Sequence, residues 1–188
     1  MSTNSTSKSS SRAQSSKKDK SPIIGINLRT IFSCVGLMMN GRVAIIQEPN
    51  PWKNIISSTV CFTPKKILIG RAARNKMRQF PESSLYESKR LIGLKYTNSH
   101  VQKDIKLMKP LKIIEDLKTK KPKYVIKVND KYQEYFPEDV SSMILEYLKE
   151  IAIDFEGNKN IKKAVITVPA HFNDLQRKEI IEAAKKQN

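Results

Sequence analysis

The chain has 188 residues, 39% of them hydrophobic and 28% charged, and 35 basic against 18 acidic side chains give it a formal net charge of +17. This composition predicts a globular protein with one buried domain, and no apolar run is long enough for a transmembrane helix. The positive charge favours binding of polyanions, that is nucleic acid, an anionic membrane or a free nucleotide. The alternative is a lysine-rich composition spread over solvated surfaces. Neither zinc-finger spacing nor an RNA-binding signature indicates specific nucleic-acid recognition.

Residues 1–21 form a serine- and lysine-rich segment with almost no apolar side chains. Such a segment buries too little surface to offset its ordering entropy, so we predict a disordered tail here. It lacks the apolar core of a secretory signal. Its lysines and the absence of a helical apolar stripe argue against an organelle transit peptide. Residues 22–188 are predicted to form the folded body.

The first half of the body is predicted to consist mainly of short strands. These strands span residues 23–28, 32–39, 42–47, 57–63 and 67–69. Asn40-Gly41 predicts a tight hairpin, because both central residues of a type I′ turn need positive φ. A basic helix over residues 71–79 should end before Pro81, and a second short helix should end at Gly93.

The second half alternates helices with strands. A helix over residues 99–109 precedes an antiparallel sheet of strands 111–117, 123–129 and 131–136, with a turn at Asn129-Asp130. A long helix follows Pro137, and its apolar stripe predicts a core-facing surface. That stripe consists of Val140, Met143, Ile144, Tyr147, Leu148, Ile151 and Phe155.

The last two elements are a strand and a capped helix. Residues 163–168 predict a buried β-branched strand. Asn173 and Gln176 form a capping box for a helix that runs over residues 173–187. Because the apolar residues of that helix still need a covering surface, we expect the chain to be a truncated domain.

The two cysteines lie in apolar, strand-like runs. Cys34 and Cys61 have no CxxC or Cys/His spacing, so buried free thiols are favoured over a disulfide or a metal site. Reduced thiols favour a cytoplasmic location.

Six stretches of the body carry a resemblance to a known family. They are, in chain order, GINLRTIFSCVG, NGRVAII, LIGRAARN, SKRLIG, FPEDVSSMIL and AVITVPAHFNDLQRKE. The first resembles GIDLGTTYSCVG of the heat-shock protein 70 family. From residue 23 to its last helix the chain resembles the first half of that family's nucleotide-binding domain.

The resemblance implies an α/β, actin-like ATPase fold of the ribonuclease-H-like type. The expected fragment is a first lobe with a mixed sheet and a small α+β sublobe inserted at about residues 71–137. The implied function is that of an ATP-binding chaperone in protein folding and the stress response. The implied cofactors are ATP and Mg²⁺, and the implied partners are other chaperones, co-chaperones and unfolded proteins.

Site residues follow from the same resemblance, position by position. The family's phosphate-binding hairpin matches Arg29, Thr30, Ile31 and Phe32, preceded by Asn27 in place of the family aspartate that helps to hold hydrated magnesium. The family's catalytic lysine near the γ-phosphate matches Lys89, for which an exposed lysine on a basic helix is the alternative. Pro169 and Arg177 match residues that couple nucleotide state to the peptide-binding domain. His171 replaces a tyrosine and is interpreted as a structural residue.

The departures from the family pattern predict a disabled site. Asn27 offers a neutral oxygen where a divalent ion needs charge, and Ile31 removes a hydroxyl. Arg29 adds a Cβ where φ > 0 is expected, at a cost of about 1–2 kcal/mol, although its guanidinium has the chemistry to bind a phosphate. No second glycine-rich phosphate loop or second lobe follows in the sequence. We therefore expect no ATP hydrolysis by this chain alone and no metal ligands within it.

Two further functions remain open from the sequence. The chain is also compatible with a degenerate interaction module that pairs with chaperones or co-chaperones, or with a basic polyanion-binding protein. An unfinished apolar end predicts self-association.

Overall fold

The computed structural model describes residues 21–39, 41–48, 55–157 and 161–186. Eleven strands and four α-helices lie in these ranges. The strands are β1 (Ile23–Asn27), β2 (Phe32–Met39), β3 (Arg42–Ile46), β4 (Ile56–Ser57), β5 (Thr59–Phe62), β6 (Ile67–Ile69), β7 (Ser84–Tyr86), β8 (Lys112–Glu115), β9 (Pro122–Val128), β10 (Lys131–Tyr135) and β11 (Lys163–Thr167). The helices are α1 (Gly70–Lys76), α2 (Ser99–Leu107), α3 (Pro137–Glu156) and α4 (Asp174–Lys185).

The central sheet is mixed, as predicted. Its strand order is β11-β1-β2-β3, and β4 pairs with the beginning of β2. Strand β11 runs parallel to β1, whereas β2 is antiparallel to β1 and to β3. Ile24 and Ile26 of β1 are buried and Ile23 is exposed, so this strand covers the core with one face.

Two smaller antiparallel sheets complete the strand content of the described residues. One has the order β6-β5-β7, and the other has the order β10-β9-β8. The turn between β9 and β10 places Asn129 and Asp130 at φ 49° and 60°, as predicted for this dipeptide. Gly41 has φ 76°, as a type I′ hairpin needs, and Asn40 lies outside the described residues.

Helix α3 is the element around which the core is built. It contacts strands of all three sheets and packs against α4. Val140, Ile144, Leu148 and Ile151 of the predicted stripe are buried, but Phe155 is 52% exposed. The apolar period therefore identified the buried face correctly except in the last turn, which extends beyond its packing partners.

The sequence predicted the start of the last helix correctly but not the burial of the last strand. Helix α4 has the predicted capping box: Asn173 Oδ1 accepts from the Gln176 N–H at 2.9 Å, and Gln176 Oε1 accepts from the Asn173 N–H at 3.2 Å. The prediction of a buried β11 was wrong, because Val165 is 63% exposed. Among the described residues β11 pairs with β1 alone and so forms an edge of the sheet.

The segment before Gly93 also differs from its prediction. Instead of one short helix it forms two 3₁₀ turns, Pro81–Ser83 and Ser88–Arg90, on either side of β7. Pairing of β7 with β5 recruits its residues into a sheet, so tertiary contact overrides local helix propensity. Cys61 is a buried free thiol as predicted, whereas Cys34 is only partly buried.

Two expectations fall at the margins of the described residues. The predicted disordered tail lies outside them except for Ser21, which is buried and so belongs to the body. No helix in the described ranges is long and apolar enough to cross a membrane.

Candidate functional site

The loop between β1 and β2, residues 28–31, is held by a closed ring of hydrogen bonds. The Arg29 N–H donates to Ser33 Oγ at 3.1 Å, and the Ser33 and Ser58 hydroxyl oxygens are 2.8 Å apart. Ser58 Oγ donates to the Arg29 carbonyl oxygen at 2.8 Å, so the Ser33 hydroxyl must supply the proton between the two serines. The Ser58 N–H also donates to the Ile31 carbonyl oxygen at 2.8 Å. Hydrogen bonds within the protein therefore fix the backbone of this hairpin loop.

Sequence reasoning missed both serines of this ring. Ser33 and Ser58 are 2–3% exposed, and each follows an apolar or strand-like run. The signal lay in Ser57-Ser58-Thr59, a run of three hydroxyl residues at the start of the strand that was predicted over residues 57–63. Buried hydroxyls need hydrogen-bond partners, so such a run indicates a polar network within the core.

The backbone at Arg29 corrects one expectation. Positive φ was expected here, but the non-glycine residues with positive φ in the described ranges are Glu87, Lys120, Asn129 and Asp130. Arg29 consequently carries its Cβ without left-handed strain. Its side chain is exposed, and no hydrogen bond or ion pair joins its guanidinium to another described residue.

A shallow depression of about 320 Å³ lies over the hairpin loop. Arg29, Thr30, Ile31, Phe32 and Arg90 line it. Four of these five residues were predicted from the sequence, and Arg90 was missed although it follows Lys89 directly. The Arg74 guanidinium lies 4.9 Å from the centre of the Phe32 ring and adds positive charge nearby.

Arg90 is partly neutralised by acidic neighbours. Its Nε lies 2.8 Å from Glu87 Oε2, and its Nη1 lies 4.0 Å from Asp104 Oδ1. Arg29 has no comparable carboxylate partner among the described residues. It is therefore the cation of the depression whose charge is least compensated.

Lys89 lies behind the loop and not in the solvent. It is 7% exposed, so the alternative of an exposed lysine on a basic helix was wrong. Its Nζ donates to the Leu28 carbonyl oxygen and lies 5.4 Å from the centre of the Phe172 ring. Burial, with a smaller contribution from the Arg29 charge, lowers the pKa of Lys89 to about 8. The ammonium group thus ties the hairpin loop to the segment that contains Phe172.

Asn27 faces β11 and does not fit a magnesium site. Thr167 Oγ1 donates to Asn27 Oδ1 at 2.9 Å, so this amide oxygen already has a partner. The remaining amide group is a donor, which repels a cation. No group of three or more His, Cys, Asp or Glu residues with metal-binding proximity occurs in the described part of the chain. The chemistry of Asn27 therefore does not fit the Mg²⁺ that the family resemblance implies.

The segment around Pro169 is tied to the start of α4 by Arg177. Arg177 Nε donates to the Phe172 carbonyl oxygen and Nη2 to the Ala170 carbonyl oxygen, both at 3.1 Å. Phe172 is buried, and His171 is exposed beside it with its ring edge-on at 5.8 Å. Arg177 is therefore linked through Phe172 to Lys89 and the hairpin loop.

A second, larger depression lies on the face of β11 that carries Ala164 and Ile166, opposite to the face on which Val165 is exposed. This β11 groove, of about 470 Å³, runs between the sheet, α3 and α4. Its apolar lining is Ile24, Ile26, Leu145, Ile161, Ala164, Ile166, Val168, Ile180, Ile181 and Ala184. Its charged lining is Lys149, Lys162, Lys163, Arg177 and Lys185, with no carboxylate from the described residues.

Comparison with known protein families matches residues 23–186 with the family described as Hsp70 protein. The match covers the hairpin loop, Lys89 and the segment from Pro169 to α4. It thus includes nearly the whole described chain.

Proposed function

The chain belongs to the Hsp70 family of ATP-binding chaperones, and from that premise we propose that its hairpin loop binds the phosphates of a nucleotide without hydrolysing it. The observation that carries this proposal is the ring formed by Arg29, Ser33 and Ser58. It holds a short loop with its outer face open beside Thr30 and a cation. A prepositioned loop loses little entropy when it binds an anion.

Two features argue against hydrolysis by this chain. Asn27 carries no charge with which to hold a hydrated metal ion. The Lys89 ammonium is bound to the Leu28 carbonyl oxygen and so is turned away from the solvent face of the loop. Phosphoryl transfer depends on positioning and on electrostatic stabilisation of the transferred group. The described residues supply a binding loop but not that stabilisation.

The test is calorimetric titration with ATP combined with a single-turnover hydrolysis assay. We expect saturable binding and no hydrolysis above buffer. Ser58→Ala should weaken binding several-fold because it opens the ring. The matched control is Ser83→Ala, which also deletes a buried hydroxyl that donates to a backbone carbonyl oxygen, that of Phe62, but away from the loop. Absence of ATP binding would refute the proposal, and hydrolysis abolished by Lys89→Ala would refute its second half.

Pro169 and Arg177 have a supporting role in this proposal. The contacts of Arg177 with the Phe172 and Ala170 carbonyls, and of Phe172 with Lys89, form a continuous path from α4 to the loop. We propose that this path transmits the state of the phosphate site to whatever contacts α4. Arg177→Ala should therefore change nucleotide affinity without touching the nucleotide.

The β11 groove favours a second candidate function, that of an interaction module. An open strand edge beside an apolar groove accepts an extended peptide by strand addition. The lining of the groove stays net positive although Lys185 is ion-paired with Glu182 at 3.1 Å, and it favours a partner segment with alternating apolar and acidic residues, such as an exposed strand of another chaperone or co-chaperone.

Binding of short peptides tests this candidate. A peptide alternating valine and glutamate should bind, and one alternating valine and lysine should not. Ile181→Asp, in the groove, should weaken binding at least about fivefold. Leu175→Asp, at a comparably exposed position of α4 outside the groove lining, should not. Equal binding of both peptides would exclude charge-selective docking.

A further inference from the structure

Strand β1 ends on a position that does not fit a metal ion, and the hairpin loop that follows it carries an uncompensated cation. Asn27 is an amide and not the carboxylate that would attract Mg²⁺. Its side-chain oxygen, moreover, already accepts a hydrogen bond from Thr167. Two residues further along, the Arg29 guanidinium is exposed beside Thr30 in the same depression. Relative to the family pattern, a negative charge is therefore lost at the end of β1 and a positive charge is gained two residues later, in the loop.

We propose that this loop binds the triphosphate of a nucleotide in its metal-free form, with Arg29 supplying the positive charge that a divalent ion would otherwise contribute. The inference rests on the proposed function, since it concerns the same phosphate site. It differs in naming the ionic form of the ligand and the residue that selects it.

The local charge balance singles out Arg29 among the nearby cations. Lys89 donates to the Leu28 carbonyl oxygen beneath the loop, and Arg90 is ion-paired with Glu87 at 2.8 Å. Arg74 lies over the Phe32 ring. Arg29 is thus the one of these four whose side chain is not engaged by another described group, and its planar fork matches two phosphate oxygens at once.

Electrostatics then determine which form of the ligand is preferred. Metal-free ATP carries more negative charge than its magnesium complex, and a loop with net positive charge attracts the more negative ion more strongly. No carboxylate of the described residues lines the depression to offset the repulsion between a divalent cation and the Arg29 guanidinium. The loop should therefore favour ATP over its magnesium complex.

The backbone geometry allows the role of Arg29 to be tested cleanly. Because its φ is not in the left-handed region, alanine at this position fits the existing loop conformation. Both backbone hydrogen bonds of Arg29, to Ser33 and from Ser58, use main-chain atoms and survive the substitution. Arg29→Ala consequently removes the guanidinium and leaves the ring in place.

The experiment compares ATP binding in excess EDTA and in excess Mg²⁺ at equal ionic strength, with tripolyphosphate as a second probe. The wild-type chain should bind in EDTA at least as tightly as in Mg²⁺. Arg29→Ala should lose at least about tenfold in affinity in EDTA, and Arg29→Lys should retain part of it. Arg78→Ala, which removes another exposed arginine outside the depression, should bind as wild type does.

The possible results distinguish failure of this inference from failure of the proposed function. Binding that needs Mg²⁺ would overturn the inference while leaving nucleotide binding intact. An equal loss in Arg29→Ala and Arg78→Ala would also overturn it, because net charge and not the loop would then be responsible. No binding under either condition would overturn both.

Discussion

At the scale of single residues, Lys89 shows how burial changes the protonation of a side chain that the sequence identified only by its resemblance to a family position. Its ammonium is enclosed between the Leu28 carbonyl oxygen and the Phe172 ring, and its pKa is lowered to about 8. The charged form is therefore disfavoured in the folded state relative to the unfolded chain, in which the pKa is 10.5.

This shift predicts a pH dependence of stability. Between about pH 8 and pH 10.5 the unfolded chain binds more protons at Lys89 than the folded chain does, so the contribution of Lys89 to the free energy of unfolding rises with pH. It is fully present above the unfolded pKa and is lost as the pH falls through the folded pKa. Lys89→Met should remove this rise.

Urea unfolding across that range measures the effect as the difference between wild type and Lys89→Met. Taking the difference cancels groups that titrate alike in both proteins, including Tyr147, whose pKa is raised to about 12 by burial and by Glu48. A difference that is constant with pH would mean that Lys89 titrates in the folded state as it does in water.

At the scale of elements, Gly93 is the residue at which the segment that carries Lys89 packs against the beginning of α4. Its φ is +67°, and a Cβ built on it would lie 2.7 Å from the Gln176 Cα and 2.9 Å from the Gln176 N. These are backbone atoms of the capping box, which cannot move without disturbing the helix start. Gly157 has a similar φ of +69°, but among the described residues no atom beyond its own helix turn and chain neighbours lies within 4 Å of such a Cβ.

The two glycines make a matched pair of variants. Gly157→Ala should lower the free energy of unfolding by about 1–2 kcal/mol, the cost of a left-handed alanine. Gly93→Ala has the same backbone cost plus overpacking, and should be less stable than Gly157→Ala by about a further 1–3 kcal/mol. Chemical denaturation of both variants measures the difference. Equal losses would show that α4 shifts freely and does not pack firmly on this segment.

At the scale of the whole molecule, the tail and the body are predicted to be energetically independent. Deletion of residues 2–20, with Ser21 retained because it is buried, should leave the thermal midpoint of the body unchanged within about 1 °C. The physical reason is that a polar, serine-rich segment has little apolar surface to bury. Differential scanning calorimetry of the full and shortened chains tests this, and a lowered midpoint would show that the tail packs on the body.

Net charge and exposed apolar surface have opposite effects on self-association of the chain. Ile181, which lines the β11 groove, is 54% exposed, and Val165, on the other face of β11, is 63% exposed. Both favour association, whereas the net charge of +17 repels copies of the chain. Salt screens the repulsion and leaves apolar contact intact. Sedimentation velocity should therefore show a larger species at high than at low ionic strength. A compact monomer under both conditions would argue against self-association.

The sequence by itself determined the order of most elements and the family. Strand β2 and strand β6 have their predicted bounds, and the capping box of Asn173 and Gln176 was predicted from two residues three positions apart. These features depend on neighbours within a few residues, where side-chain period and capping chemistry act. The hairpin residues Arg29 to Phe32 were likewise predicted together, because they are contiguous in a recognisable motif.

Only the tertiary structure decided the environment of each site residue. The Ser33–Ser58 contact spans 25 residues, the Lys89–Leu28 contact spans 61, and the Thr167–Asn27 contact spans 140. The same long-range packing turned the segment 84–86 into a strand and left β11 at an exposed edge of the sheet. The burial, hydrogen-bond partners and pKa of a side chain depend on its surroundings. Because residues distant in the chain form those surroundings, no local sequence pattern encodes them.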